Sequence, residues 1–286
     1  MDKKVVKYPR IRYPDTEFER VLGNKDDWVY VEEKVDGSNF RFWLDDTGRI
    51  QFGSRNLILG NEAGGRWERV IKYLYQFEKK LKPDYEYFGE AMIPHLTPYK
   101  YDSLPPIIMF DIYDLKNEKW LDWESKTEEF KRVGLEGVRL VGIYTAGEIK
   151  NDFLSKEFKS LYYDGPAEGM VIKNYVRGAL MKVVFREYKV QKHISGKKKV
   201  GEGTEYFLNK YVYDDYIRKI IFQLIDDGHK LDMSLMSLLP KTIFEDILEE
   251  HAKDILRENK VIDLGKFRRG IAKRSVNVLK FMTRGG

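Results

Sequence analysis

The sequence predicts an α+β protein: a large domain of mixed antiparallel sheets with flanking helices, followed by a small all-helical C-terminal domain. Three observations predict it. Short apolar runs punctuated by turn residues recur through the first two thirds of the chain, with a few helical stretches between them. Past residue 205 the apolar spacing is helical throughout. Between the two lies a polar stretch, Ser195-Gly196-Lys197-Lys198-Lys199-Val200-Gly201-Glu202-Gly203, with the composition of a boundary. Domains are therefore expected at 1–200 and 205–286, and a chain of 286 residues has room for both.

Taken in order, residues 28–35, 39–44 and 49–53 read as a strand meander, with Asp45-Asp46-Thr47-Gly48 as a hairpin turn. Over 67–81, Trp67, Val70, Ile71, Leu74 and Phe77 share one helical face and Pro83 stops the run. Residues 85–93 and 107–115 read as strands, the second so apolar that both faces should be buried. A helix is expected over 124–133, a strand over 139–144, a helix over 146–158, and strands over 170–174 and 180–186. Further on, Tyr213, Ile217, Ile220, Ile221 and Leu224 mark one helix. Ile243, Phe244, Ile247, Leu248 and Ile255 mark a second, with Pro240 near its first turn. Leu264, Phe267, Ile271, Val278 and Met282 mark a third, N-capped by Asp263. The opposite face of that helix carries Lys266, Arg269, Lys273 and Lys280.

A hydrophobic content of 42% sustains a core, and the absence of cysteine excludes disulfides and thiolate metal sites. The four histidines, His95, His193, His229 and His251, are scattered, which argues against a zinc site. The start, Met1-Asp2-Lys3-Lys4, runs into charged sequence rather than an apolar leader, and no run of 18 apolar residues exists. A soluble, cytoplasmic protein is expected, with no membrane association and no obligate protein partner readable. The net charge of +5 is unevenly placed: residues 182–210 carry net +5 and residues 260–286 net +7, which leaves −7 for the rest. Basic segments on a mildly acidic body suit a polyanionic partner.

The stretch Lys34-Val35-Asp36-Gly37 ends the apolar run that begins at Trp28. A lysine followed two residues later by Asp-Gly is what a lysyl nucleophile for nucleotidyl transfer needs. The amine attacks phosphorus, the carboxylate orients the sugar or the lysine, and the glycine lets the backbone turn close to a ligand. Five elements follow in order: Ser54-Arg55-Asn56, Phe88-Gly89-Glu90, Ile107-Ile108-Met109-Phe110-Asp111-Ile112-Tyr113, Glu168-Gly169-Met170-Val171-Ile172-Lys173 and Leu180-Met181-Lys182-Val183-Val184. Arg55 offers paired donors that match phosphate oxygens. Glu90, after a glycine, is placed to hold ribose hydroxyls. The Phe110 ring suits a purine face. No Walker-type phosphate loop is present.

This series, from about Glu33 to Lys189, resembles the covalent nucleotidyltransferases: ATP-dependent DNA ligases, RNA ligases and mRNA capping enzymes. It is most similar to the RNA ligase 2-like family, through Gly37-Ser38-Asn39-Phe40, the distance to Ser54-Arg55, and Phe110-Asp111-Ile112. The resemblance implies a nucleotidyltransferase (adenylyltransferase) domain that uses ATP and Mg²⁺ or Mn²⁺ and joins RNA ends through a lysyl-adenylate. Lys34 would be the nucleophile. Asp36 and Asn39 would stand beside the nucleotide, Arg55 would contact the nucleotide and the incoming 5′-phosphate, Glu90 the ribose, and Phe110 the adenine. Glu168 would bind the metal near the α-phosphate, Lys182 would neutralise that phosphate, and Lys173 would be a weaker member of the nucleotide site, with a solvent-facing position on its strand as the alternative. In one respect the chain departs from the family. The usual last motif has two lysines two apart, whereas here Val184 stands two residues after Lys182; either one lysine suffices, or Arg186 or Lys189 takes the second place. DNA ligases and capping enzymes carry an OB domain after this motif, and helices are expected here instead. RNA is thus the expected partner, with DNA or an RNA/DNA hybrid as alternatives, held by Lys189 and by Lys266, Arg269 and Lys273. The competing readings are a compact ATP-dependent DNA ligase and a catalytically inactive nucleic-acid-binding relative.

Overall fold

The structure, a computed structural model, describes residues 6–60, 65–149, 151–185, 203–258 and 260–284. The chain divides into two compact units, one ending at Lys189 and the other beginning at Val190. The boundary stretch expected from composition lies, except for Gly203, outside the described residues.

The first unit contains α1 (Pro14–Leu22), β1 (Trp28–Glu33), β2 (Ser38–Leu44), β3 (Ile50–Ser54), β4 (Ile58–Leu59), α2 (Glu68–Tyr75), β5 (Tyr85–Ala91), β6 (Ile107–Asp114), β7 (Lys119–Trp120), α3 (Trp123–Val133), β8 (Leu140–Thr145), α4 (Asn151–Ser155), β9 (Gly169–Asn174) and β10 (Ala179–Val184). Strands β10, β9, β1 and β8 form one antiparallel sheet in that order, and β4, β3, β2, β5, β6 and β7 form a second. The expected meander is therefore split. Strands β2 and β3 pair through the Asp45 turn, whose carboxylate accepts from the Thr47 and Arg49 amides at 2.8 and 3.0 Å. Strand β1 lies in the other sheet, because segment 34–37 carries the chain across. Gly37 permits that crossing: a Cβ there would collide with the Ala91 carbonyl oxygen of β5.

Two helical expectations shorten. The run 67–81 is helical only over α2, with 3₁₀ turns at Gly65–Trp67 and Glu78–Lys80, and this broken path still buries Trp67, Val70, Ile71, Leu74, Phe77 and Leu81. The run 146–158 contains only α4, because the Ala146 and Gly147 amides bind the carbonyls of Asp27 and Lys25 instead of extending a helix. By contrast α3 runs the expected length and is capped at both ends: the Asp122 side chain accepts from the Ser125 amide at 2.8 Å, and Gly134 ends the helix at φ +94°. Strand β6 is buried along most of its length, as its composition requires.

The core of the six-stranded sheet is packed by Phe40, Phe42, Phe52, Leu74 and Tyr87, and that of the four-stranded sheet by Val21, Val29, Val31, Ile172 and Met181. The arm before α1 escaped the sequence reading, since it is short and irregular. Arg41 binds the Val6 carbonyl oxygen at 2.7 Å, Glu86 accepts from the Val6 amide at 2.9 Å, and the Arg12 carbonyl oxygen accepts from the Lys182 amide at 2.9 Å. The arm thus ties β2 and β5 of one sheet to β10 of the other.

The second unit contains α5 (Thr204–Tyr211), α6 (Asp214–Asp226), a 3₁₀ turn (Met233–Ser237), α7 (Leu239–Arg257) and α8 (Leu264–Arg284), and no strand among the described residues. The last three α-helices are those read from sequence; α5 was not foreseen. Asp263 caps α8 by accepting from the Lys266 amide at 2.9 Å. Phe207, Ile217, Ile221, Ile243, Ile247, Phe267 and Ile271 form this unit's own core, and Lys266, Arg269, Lys273 and Lys280 lie exposed on α8.

Candidate active site

Strand alternation decides which side chains leave the core. Val29 and Val31 of β1 pack in the core of the four-stranded sheet, so Glu32 faces the other way; likewise Lys173 of β9 opposes Ile172, and Lys182 of β10 opposes Met181. In β2, Phe40 and Phe42 enter the second core and Asn39 and Arg41 turn away from it.

Lys34 stands just past β1, and its amide extends the ladder to the Gly169 carbonyl at 2.9 Å. Its Nζ lies 2.6 Å from Glu168 Oε2, with the lysine side chain 20% exposed and the glutamate 3%. The structure therefore brings the first and fifth motifs together. Gly169 is required here, since a Cβ would collide with the Val183 carbonyl oxygen of β10. Beside Lys34, the buried Glu33 carboxylate accepts from the Ser160 hydroxyl at 2.5 Å and the Leu161 amide at 2.6 Å. Burial pushes its carboxyl up, Ser160, Leu161 and Arg139 work downward, and Glu168 adds to the rise.

Asp36 is engaged by the protein. Its Oδ2 accepts from the amides of Leu96 at 3.0 Å and Thr97 at 2.7 Å, and its Oδ1 is 3.4 Å from His95 Nδ1. Asn39 pairs in register with Glu90 of β5, and its buried Oδ1 has no hydrogen-bond partner, an acceptor left open beside that carboxylate. The Glu90 side chain approaches Gly37, its Cγ 3.0 Å from where a Cβ would stand. Arg55, half-buried after β3, lies near Tyr8: burial and Asp111 push the Tyr8 hydroxyl well above its ordinary range, and the Arg55 charge opposes them.

Phe110 occupies a β-bulge. Phe88 pairs with Asp111 and Gly89 with Met109, so Phe110 has no opposite residue on β5. Its carbonyl oxygen accepts instead from Lys126 Nζ at 2.5 Å and Lys173 Nζ at 3.0 Å. Its ring is half-buried, 4.9 Å from that of Tyr8. The solvent-facing alternative for Lys173 does not hold: it is buried and bound to Glu32 and Asp111, each at 2.8 Å. Burial pulls its ammonium down, but Asp111 and Glu32 outweigh that and hold it above the usual lysine range. Lys126 of α3 completes a neutral quartet through Glu32 at 2.6 Å and Asp111 at 3.2 Å. Sequence reasoning missed Glu32, Asp111, Lys126 and His95. A charged residue inside the apolar run at Asp111 was the one available signal, because a buried charge requires a partner.

Lys182 places its Nζ 4.5 Å from the centre of the Tyr13 ring, a cation–π contact to the arm. Arg186 and Lys189 lie outside the described residues. Lys266, Arg269 and Lys273 belong to the helical unit. Among the described residues no group of three or more histidine or acidic side chains could enclose a metal ion, and no helix is long and apolar enough to cross a membrane.

A sequence model of the RNA ligase family matches residues 27–184, more than half of the chain. No curated protein matches the chain by sequence. Among solved structures, the chain is similar to a Naegleria gruberi RNA ligase with pyrophosphate, at 19% identity and a TM-score of 0.57 over 66% of this chain and 58% of that one. A mutant of that ligase with ATP and manganese matches at 17% identity and a TM-score of 0.55, over 66% and 57%. Another, with AMP and manganese, matches at 18% and 0.52, over 66% and 58%. At such identity the likeness establishes the fold, and the matched part spans less than two thirds of the Naegleria chain.

Proposed function

This chain belongs to the RNA ligase family, and from that premise we propose an ATP-dependent RNA ligase with Lys34 as its nucleophile. The observation that carries the reading is the Lys34–Glu168 contact of 2.6 Å, which joins the first motif to the fifth where the chain crosses between sheets. In the first step the Lys34 amine forms a bond to the α-phosphorus of ATP, and the bond from that phosphorus to pyrophosphate breaks. AMP then passes to the 5′-phosphate of a polynucleotide, and attack by a 3′-hydroxyl releases it.

The side chains divide this work. Glu168 accepts the Nζ hydrogen bond and aims the amine. Glu90 and the open Asn39 oxygen offer acceptors to ribose hydroxyls. Phe110, fixed by its bulge, is a face for adenine, and Lys173 acts through it by holding its carbonyl oxygen. Asp36 orients the turn that presents Lys34. Arg55 and Lys182 supply positive charge for phosphate oxygens. The donor set fits Mg²⁺ or Mn²⁺ bound by Glu168, phosphate oxygens and water rather than by an all-protein cage. Such an ion, when bound, offsets the charge of the triphosphate. We place the protein in the cytoplasm, with RNA as partner.

The test is intact mass after incubation with ATP and magnesium. A gain of one AMP is expected in the native chain and none in Lys34→Ala; an undiminished gain in the variant refutes the assignment. End-joining of matched RNA and DNA substrates, nicked and single-stranded, then decides between RNA, DNA and hybrid partners. A chain that binds polynucleotide but takes up no AMP is an inactive relative.

A further inference from the structure

We propose that His95 is a positioning residue for the nucleophile turn: its imidazole, set by Arg66 through Ser38, holds the Asp36 carboxylate two residues from Lys34. This rests on the reading of Lys34 as nucleophile.

The direction of each hydrogen bond follows from what the groups can do. Arg66 can only donate, and its Nη2 lies 2.9 Å from Ser38 Oγ. That oxygen is thereby used as an acceptor, and its proton is available to His95 Nε2 at 3.3 Å. At the other ring nitrogen, ionised Asp36 can only accept, and its Oδ1 lies 3.4 Å away. In its neutral form the imidazole serves both neighbours only with its proton on Nδ1. The second carboxylate oxygen is taken by the Leu96 and Thr97 amides. One directed series therefore runs from the turn before α2, through the start of β2 and segment 95–97, to the turn that presents Lys34. These two contacts are long, at 3.3 and 3.4 Å, as hydrogen bonds within an active site commonly are before substrate binds.

Segment 95–97 is itself secured. The Tyr101 hydroxyl accepts from the His95 amide at 3.1 Å and donates to the Thr97 carbonyl at 2.8 Å. Arg69 holds the carbonyls of Tyr101 and Leu104 at 2.7 and 2.8 Å. The Tyr99 hydroxyl accepts from the Asp36 amide at 3.3 Å. Segment 95–99 thus grips Asp36 by backbone and side chain together. With the His95 side chain 6% exposed and that of Asp36 9%, water does not readily replace a broken hydrogen bond. Gly37, next in the chain, gives the turn no side chain of its own to hold it. A displacement of about 1 Å at a reacting group costs roughly a hundredfold in rate.

Three substitutions in the full chain test this, with Lys34 adenylylation followed by intact mass in single turnover. His95→Ala is expected to slow the step by roughly tenfold to a hundredfold, and His95→Asn, whose amide N–H stands where Nδ1 does, to return it to within about fivefold of native. His95→Gln reaches Ser38 but leaves Asp36 unserved, and should stay slow. An alanine variant as fast as native overturns the proposal. So does an asparagine variant no faster than the glutamine one, a comparison that stands even where His95→Ala fails to fold. Imidazole ¹⁵N shifts are expected to report the Nδ1–H tautomer, and the opposite tautomer overturns it. A native chain that gains no AMP refutes Lys34 as nucleophile. In that case amide exchange still decides whether His95 holds Asp36: faster exchange at Leu96 and Thr97 in His95→Ala supports it, and unchanged exchange overturns it.

Discussion

Glu168 is buried but Lys34 is one fifth exposed, so cutting back the carboxylate leaves an ammonium that water still reaches. The cost to folding is small while the amine loses its guide. Glu168→Ala should abolish AMP uptake, and Lys182→Ala, which removes the charge proposed to meet phosphate, should do the same. The cation–π contact of Lys182 with Tyr13 is worth about 1 kcal/mol, which for a unit of this size moves Tm by only about 2–4 °C. A thermal melt checks both variants, and a large drop would make the residues structural. Glu33 behaves differently. Its carboxyl is raised above the ordinary 4.5, chiefly by burial. Between 4.5 and that raised value the folded chain binds more protons than the unfolded one, so stability falls as pH rises through this window. Glu33→Gln, whose amide can donate to Ser160 while its oxygen accepts from Leu161, should lack that fall. The Tm difference, variant minus native, should grow with pH through the window and then level off. Lys34, Glu168 and Lys182 were named because each stands in a motif of the series, and the structure brings the first two together although 134 residues separate them. Glu33 and His95 stand in no motif, and only the fold shows their partners, 127 and 57–59 residues away in the sequence.

Among the elements, the β6 bulge shows why strand type was readable and its detail was not. An apolar run predicts a buried strand, but nothing local predicts that Phe110 stands without a partner on β5. The bulge leaves a backbone carbonyl outside the ladder, and two lysines from α3 and β9 satisfy it. Their charges are balanced by Glu32 of β1 and Asp111 of β6, so four elements meet at one neutral cluster. Removing Lys126 leaves a negative charge uncompensated in a buried place. Lys126→Met should therefore cost about 3–5 kcal/mol of stability, read by urea denaturation, and should loosen the Phe110 ring. The split meander and the shortened 146–158 helix failed for a related reason. Local propensity placed the strands and turns, while a crossing at Gly37 and carbonyls at Lys25 and Asp27 decided where they went.

At the scale of the whole molecule, the helical unit has its own core and was legible almost entirely, because helical spacing over long runs is the strongest pattern a sequence carries. Its short α5 was missed, and its last turn depends on Arg274 of α8, which donates to the Leu208 and Val212 carbonyls. The six motifs lie before residue 189, in the first unit, and in the proposed mechanism the first step needs only ATP, a metal and those motifs. The later steps of that mechanism need a bound polynucleotide, and α8 exposes Lys266, Arg269, Lys273 and Lys280. A chain ending near Gly203 should therefore still take up AMP at Lys34 yet seal RNA ends poorly. Reversing the charge of Lys266, Arg269 and Lys273 should weaken sealing while leaving AMP uptake unchanged. It should also flatten the dependence of log binding on log salt, by about 0.9 for each phosphate no longer neutralised on duplex and about 0.7 on a single strand. A truncated chain that folds and seals as well as the full one would show that the helical unit serves stability alone. A reversed-charge variant with native sealing but an unchanged salt slope would move the RNA contact to another face.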